Sequence, residues 1–548
     1  MGCFGWWRIP WKPNPQRLPP MKIVLRKSVL VKWLAVTGVM MGSGTGSVAL
    51  RVEVALASPF TDHMVLQRDM KVPVWGTASA GEAVTVEFGG EKKTATAGAE
   101  GKWRVDLDAL GTSADGRTMT VSGSNTTTPV KLEDVLVGEV WVASGQSNMV
   151  FPVAASGPYL GLINFEGEMA TANYPQIRMF TGKDTKRYAP QTSVNGTWVV
   201  CSPDTVGMFS AVGYVFARDL YQQLKVPVGI LTVASGASCA EAWISRETMT
   251  GDAAIKPYLD ALDAAYNYYK ADPQTRPAVA PIRPTPINKP RGATAARGDP
   301  SGDQHMPTVL FNGMINPIVP YAMRGVLWYQ GESIVGGTPG LNLYGHMLHT
   351  LIKDWRGRWG EGDFPFIVVQ LPGQKNISNN PRIREEQQTV LDLPNTGMAV
   401  TIDTGEESNV HPRNKAPTGY RLSLIALAKA YGQNIEYAGP MYAGMKVEGN
   451  AVRISFTHTG GGLVAKGGAL KGFQIAGADQ KFVDADAKVD GETVVVSSAA
   501  VAAPVAVRYA WDDYPEGMGC NLYNSYDLPA APFRTDAWDY PIVGIVEN

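Results

Sequence analysis

Cysteine is scarce in this chain. Cys3, Cys201, Cys239 and Cys520 are the four present in 548 residues. No CxxC or CxxH spacing occurs, which argues against a zinc site built on cysteine. An excess of charge of either sign is also missing. The formal net charge is −1, so nothing supports a nucleic-acid-binding surface, which would be strongly basic. Histidine is limited to His63, His305, His346, His349, His411 and His458. His346 and His349 stand three apart on an expected helix, a spacing that can hold metal, but no carboxylate-rich motif accompanies them. A structural or surface role is expected for both. No internal repeat is visible. The one apolar run outside the expected core, Trp33 to Gly42, is short for a membrane span. The hydrolase elbow G-x-S-x-G is absent: Met149 stands where Ser147 would need a glycine two residues on, and Gly236-Ala237-Ser238-Cys239-Ala240 ends in alanine.

What is present begins with an address. Lys22, Arg26, Lys27 and Lys32 precede the apolar run, and Ser47-Val48-Ala49 offers a small-x-small cleavage site. This is the pattern of a secretory signal peptide starting at Met21, with residues 1–20 as an upstream extension. A periplasmic or secreted protein, with no stable membrane insertion after cleavage, is expected. Removal of Cys3 leaves three cysteines, an odd number for an exported chain.

The length implies more than one core. Residues 50–134 alternate polar and apolar positions with Gly, Asp and Asn at short intervals, as in a small β-sandwich. Residues 135–435 change character. Five apolar runs (135–143, 228–234, 325–330, 365–371 and 397–403) are continuous, as strands covered on both faces should be. Helical patterns at 207–224, 259–270, 343–355, 383–393 and 420–432 lie among them. This alternation predicts an α/β domain with an open, mostly parallel, doubly wound sheet. Residues 272–304 form a Pro- and Gly-rich excursion. Residues 436–548 return to a β pattern and predict a second β module.

Ligands in such sheets bind beyond the carboxyl ends of the strands. The first run ends in Ser144-Gly145-Gln146-Ser147-Asn148, the second in Ser235-Gly236-Ala237-Ser238, and the third in Gln330-Gly331-Glu332-Ser333. The fifth ends in Asp403-Thr404-Gly405-Glu406-Glu407 and continues to His411. A serine, small residues with free backbone N–H groups, a glutamine and a histidine thus gather at one sheet edge. That is an inventory for acyl transfer. Each feature alone has a plainer reading as a turn or packing residue; their convergence favours chemistry.

VLVGEVWVASGQSNM, LWYQGES and HPRNK, followed by GYRLSLIALAKAYG, resemble the sialate O-acetylesterase family, a branch of the SGNH hydrolases that includes bacterial carbohydrate acetylesterases. FTDHMVLQRDMKVPVWG, LFNGMINPIVPYAMRG and DWRGRWGEGDFPFIVVQL extend the resemblance. It implies a flavodoxin-like three-layer α/β/α domain between two β-sandwich-like domains. It implies Ser147 as nucleophile and His411 as base. The oxyanion hole would comprise the N–H groups of Ser147 and Gly236 and the side chain of Gln330. Asn312 and Glu332 would lie near the cleft or orient loops by hydrogen bonds. Trp243, Trp328 and Tyr329 are candidate sugar-stacking rings, with core packing the plainer role for at least two of them. The family often has an aspartate two residues before the histidine, where this chain has Asn409. Asn409, Asp403, Glu406 or Glu407 could orient His411, or a dyad could operate without an acid. Ile334 stands where the family often has Asn, and Ala237-Ser238 where it often has Gly-Thr.

The expected function is therefore exported carbohydrate O-acetylesterase, with an acetylated oligosaccharide or polysaccharide (sialate, xylan or xyloglucan) as substrate and no metal or organic cofactor. A glycan-binding protein with a decayed esterase site and a serine esterase for non-sugar short-chain esters are the rivals.

Overall fold

Sixteen residues, Val130–Gly145, form one strand that changes partners along its length. In the computed structural model, which describes residues 53–271, 299–333, 341–375 and 379–539, this strand (β1) begins with mixed exposure and is buried throughout from Val135 onward. Its first part pairs antiparallel with Ser113–Gly123. Leu136 to Gly138 then pair parallel with Val65–Gln67. Beyond Glu139 it lies parallel to a strand on each side. The run VLVGEVWVA is apolar on both faces for this reason.

The other strands of the central sheet are β2 (Tyr174–Thr181), β3 (Trp198–Cys201), β4 (Val228–Ala234), β5 (Gly325–Tyr329), β6 (Phe366–Val369) and β7 (Thr396–Ala399). The spatial order is β3-β2-β4-β1-β5-β6-β7. All neighbours are parallel except β3, which pairs antiparallel with β2 at the edge. On one side of β1 the chain lays down β2 and β3 and then inserts β4 between β2 and β1; it next adds β5 on the other side. The carboxyl end of β1 therefore stands at the point where strand order reverses, the usual ligand position in open α/β sheets.

Five of these strands coincide with the apolar runs. β2 and β3 were not expected. Pro175, Gln176 and Arg178 break the apolar pattern of β2. Arg178 is nonetheless buried, because its guanidinium donates to the His63 carbonyl and to Asp134.

The named helices are α1 (Ser147–Val150), α2 (Ala211–Leu224), α3 (Lys256–Ala271), α4 (Tyr344–Trp359), α5 (Asn380–Gln388) and α6 (Ala416–Lys429). Ser210 caps α2 by accepting from the Gly213 N–H. α2 and α6 pack so closely that a Cβ on Gly419 would stand 2.6 Å from Val215 Cβ. Trp355 of α4 sets its ring edge-on to Trp328 of β5, which meets Trp243 in the same way.

The C-terminal module contains two four-stranded antiparallel sheets. Met398, Val400 and Ile402, at and beyond the end of β7, belong to its hydrophobic core. Arg384 of α5 is fully buried and donates to the carbonyls of Leu371, Pro372, Asp512 and Asp513. The chain leading to His411 is therefore held from both the sheet and this module.

No helix among the described residues is long and apolar enough to cross a membrane. Cys201, Cys239 and Cys520 form no disulfide. The leader pattern at 21–49 and most of the 272–304 excursion lie outside the described residues, as does Ile334.

Candidate active site

β1 ends beside β5 with almost no space between the main chains. Gly145 has φ +128°, and a Cβ there would stand 2.1 Å from the Tyr329 carbonyl oxygen. Only glycine fits. The Gln146 N–H donates to that carbonyl, and its side-chain oxygen accepts from the N–H groups of Gly331 and Ser333. Gln146 thus stitches β1 to the loop after β5. Ser147 follows as the first residue of α1, so its own N–H has no acceptor within the helix.

Ser147 is 8% exposed. Its Oγ lies 2.8 Å from His411 Nε2, across 264 residues of sequence. Gly236 flanks the serine: a Cβ on it would come within 3.8 Å of Ser147 Cβ. The turn continues through Ala237 in the left-handed region, at φ +56°.

Gln330 directly follows β5. It is fully buried, donates from Nε2 to the Ser238 carbonyl, and accepts from the Tyr344 hydroxyl at Oε1. One N–H of its amide braces the turn that carries Gly236. Trp243, Trp328 and Tyr329 are fully buried, so none presents a ring face to a sugar. The Trp243 indole N–H donates to Ser238 Oγ. Asn312 is also buried, and donates to the carbonyls of Arg187 and Tyr188. It fixes that loop.

His411 is gripped by its main chain. Asn409 Oδ1 accepts from the His411 N–H at 3.0 Å, and Asn409 Nδ2 donates to the His411 carbonyl at 2.9 Å. Glu406 accepts from Asn409 Nδ2 and from the Arg413 N–H. Asp403 is engaged by Arg421 and Tyr523, and Glu407 pairs with Lys375 in solvent. None of these four side chains bonds the imidazole. The Tyr159 ring packs edge-on against it, with centroids 5.1 Å apart. Burial, helped by the nearby Lys415 charge, pushes the His411 imidazole down to about 4. It is neutral at pH 7, the form that can accept a proton from a hydroxyl.

Residues 300–428 match the family described as carbohydrate esterase, sialic acid-specific acetylesterase. The sialate O-acetylesterase of Mus musculus is 30% identical over 528 residues, spanning 87% of this chain and 93% of that protein. The chain belongs to the sialate O-acetylesterase family. The Rattus norvegicus sialate O-acetylesterase is 29% identical over 554 residues, spanning 92% of this chain and 97% of its own length. A solved structure of a carbohydrate acetylesterase from Xanthomonas citri superposes with a TM-score of 0.75 and 34% identity, covering 88% of this chain and all of that one.

Within this sialate O-acetylesterase family member, three contributors escaped the sequence reading. Tyr159 lies in an irregular loop with no motif around it. Asn148 stood out only as a neighbour of Ser147. Lys415 ends the HPRNK stretch, where a lysine reads as surface, yet it is 1% exposed. Lys415 Nζ donates to Asn148 Oδ1 at 2.5 Å. Asn148 Nδ2 donates in turn to Glu332 Oε1 and to the Val410 carbonyl. Burial raises the Glu332 carboxyl and lowers the Lys415 ammonium, and each charge partly offsets the shift of the other. Glu332 thus lies one hydrogen bond from the residue that follows the candidate nucleophile. Among the described residues no group of His, Cys, Asp and Glu is arranged to hold a metal ion.

Proposed function

We propose that this protein is an exported carbohydrate O-acetylesterase that works through an acetyl-enzyme on Ser147. The observation that carries the reading is the 2.8 Å contact between Ser147 Oγ and His411 Nε2 at the carboxyl edge of the sheet. Ser147 Oγ attacks the acetyl carbonyl carbon while its proton passes to His411 Nε2. The oxyanion is held by the N–H groups of Ser147 and Gly236, with Gln330 bracing the Gly236 turn. Collapse expels the sugar hydroxyl, which takes its proton from His411. Water then attacks the acetyl carbonyl, His411 accepts its proton, and acetate leaves with Ser147 restored.

The main-chain grip of Asn409 on His411, with no acid on the ring among the described residues, favours a Ser–His dyad. The names of the relatives favour an acetylated sugar, sialate or a plant-type glycan, as substrate. The sheet order around β1 is consistent with the SGNH three-layer arrangement, and the β-rich segments before and after it would frame the cleft. The basic and apolar pattern at 21–49 supports export.

Acetate release from p-nitrophenyl acetate, and from acetylated xylan, xyloglucan and sialic acid side by side, tests the reading. The wild type should release acetate and Ser147→Ala should not. Equal inertness of the two, with glycan binding intact, would instead identify a binding protein. Preference for long acyl chains would rule against a carbohydrate acetylesterase.

A further inference from the structure

A cation as deeply buried as Lys415 is costly unless it is paired and hydrogen-bonded. Its ammonium donates to Asn148 Oδ1 and stands 5.2 Å and 5.1 Å from the ring centres of Phe151 and Tyr329. The amide nitrogen of Asn148 faces Glu332 Oε1 and, at 3.0 Å, the carbonyl of Val410. One amide therefore bridges a buried cation and a buried carboxylate while gripping the main chain beside His411. The pull of Lys415 on Oδ1 polarises the amide and strengthens both N–H donors. Asn148 also follows Ser147 directly on α1, so the same side chain fixes nucleophile and base relative to each other.

We propose that Lys415, acting through Asn148 on the Val410 carbonyl, is a positioning residue for His411, with Glu332 as its counter-charge. This rests on the Ser147–His411 reading above. Among the described residues no acid reaches the imidazole, so the clamp takes over the orienting task of a triad acid. Glu332 and Glu406 are the acids whose charge Lys415 feels, and Tyr159 is the titratable ring packed on His411. Lys415 also disfavours a second positive charge on His411.

The test uses the full chain and p-nitrophenyl acetate, with kcat and KM measured across pH. Lys415→Met should lower kcat by about a hundredfold with KM within about threefold, as for a misplaced reacting group. The acidic limb of kcat/KM should move to higher pH, because the neighbouring cation is gone. Lys415→Met leaves Glu332 uncompensated and can impair folding. The double variant Lys415→Met/Glu332→Gln removes both charges. It should melt close to the wild type while keeping the low kcat and the shifted limb. A double variant with wild-type kcat, or with a low kcat and an unmoved limb, overturns the proposal. Ser147→Ala separates the two levels. If it is inert while the double variant behaves as wild type, the Lys415 inference alone fails. If it keeps the full rate, the nucleophile reading fails first.

Discussion

Asn409 holds His411 by both main-chain polar groups and leaves the ring untouched. It fixes where the imidazole is carried. Asn409→Ala removes its two hydrogen bonds to His411, worth about 1 kcal/mol each, and the one to Glu406. The expected outcome is a kcat lower by roughly ten- to thirtyfold with KM little changed. Glu407→Ala, which breaks only an exposed pair, should alter kcat by less than about twofold. Initial-rate kinetics on the two variants check this; the reverse ranking would assign the orienting role to Glu407.

Gly145 makes its own prediction. A methyl group there meets the Tyr329 carbonyl at 2.1 Å in a backbone conformation that L side chains rarely adopt. Gly145→Ala should cost about 3 kcal/mol or more in stability, or the site geometry with it. Urea unfolding together with esterase activity measures both. A fully active, fully stable variant would mean that β1 and β5 are not held as described.

The pH dependence follows from the depressed His411. Only the neutral imidazole accepts the Ser147 proton, and burial places its titration at about 4. kcat/KM should stay level from neutral pH downward and fall as pH drops through that value. A solvent-exposed histidine would lose half its activity near pH 6.5 instead. For stability the sign is the same. The unfolded chain binds the His411 proton below its ordinary value and the folded chain does not, so His411 lowers stability as pH falls from about 6.5 toward 4. Rates and circular dichroism on the same samples separate the two effects.

Arg384 ties the C-terminal module to the sheet through four carbonyls. Arg384→Leu leaves these acceptors buried and unpaired, at about 1–3 kcal/mol for each that finds no water. Denaturant unfolding should show a loss of at least about 3 kcal/mol. Activity should also fall, because Gly405, on the path to His411, donates its N–H to Glu516 of the same module.

Five parallel strands were legible in the sequence because both-face burial leaves an unbroken apolar run; the polar residues after each run share one sheet edge, and the resemblance to the family singled out Ser147 and His411 among them. β2 was hidden because Arg178 satisfies its charge through contacts distant in sequence. The passage of β1 from the N-terminal strands into the central sheet was hidden because alternation and continuous burial meet inside one strand. Whether the Gln330 and Trp243 side chains face the cleft was hidden for a related reason. A motif gives the loop on which a residue sits, and only packing decides whether its side chain faces the cleft or braces the turn behind it. Lys415 was illegible because its neutralising partners come from α1 and from the loop after β5.

The most direct measurement is peptide mapping by mass spectrometry after acid-quenching the enzyme during turnover of p-nitrophenyl acetate. The account predicts one acetyl group, carried on the peptide containing Ser147, in the wild type and none in Ser147→Ala. Acetyl on another residue, or wild-type acetate release by Ser147→Ala, would contradict it.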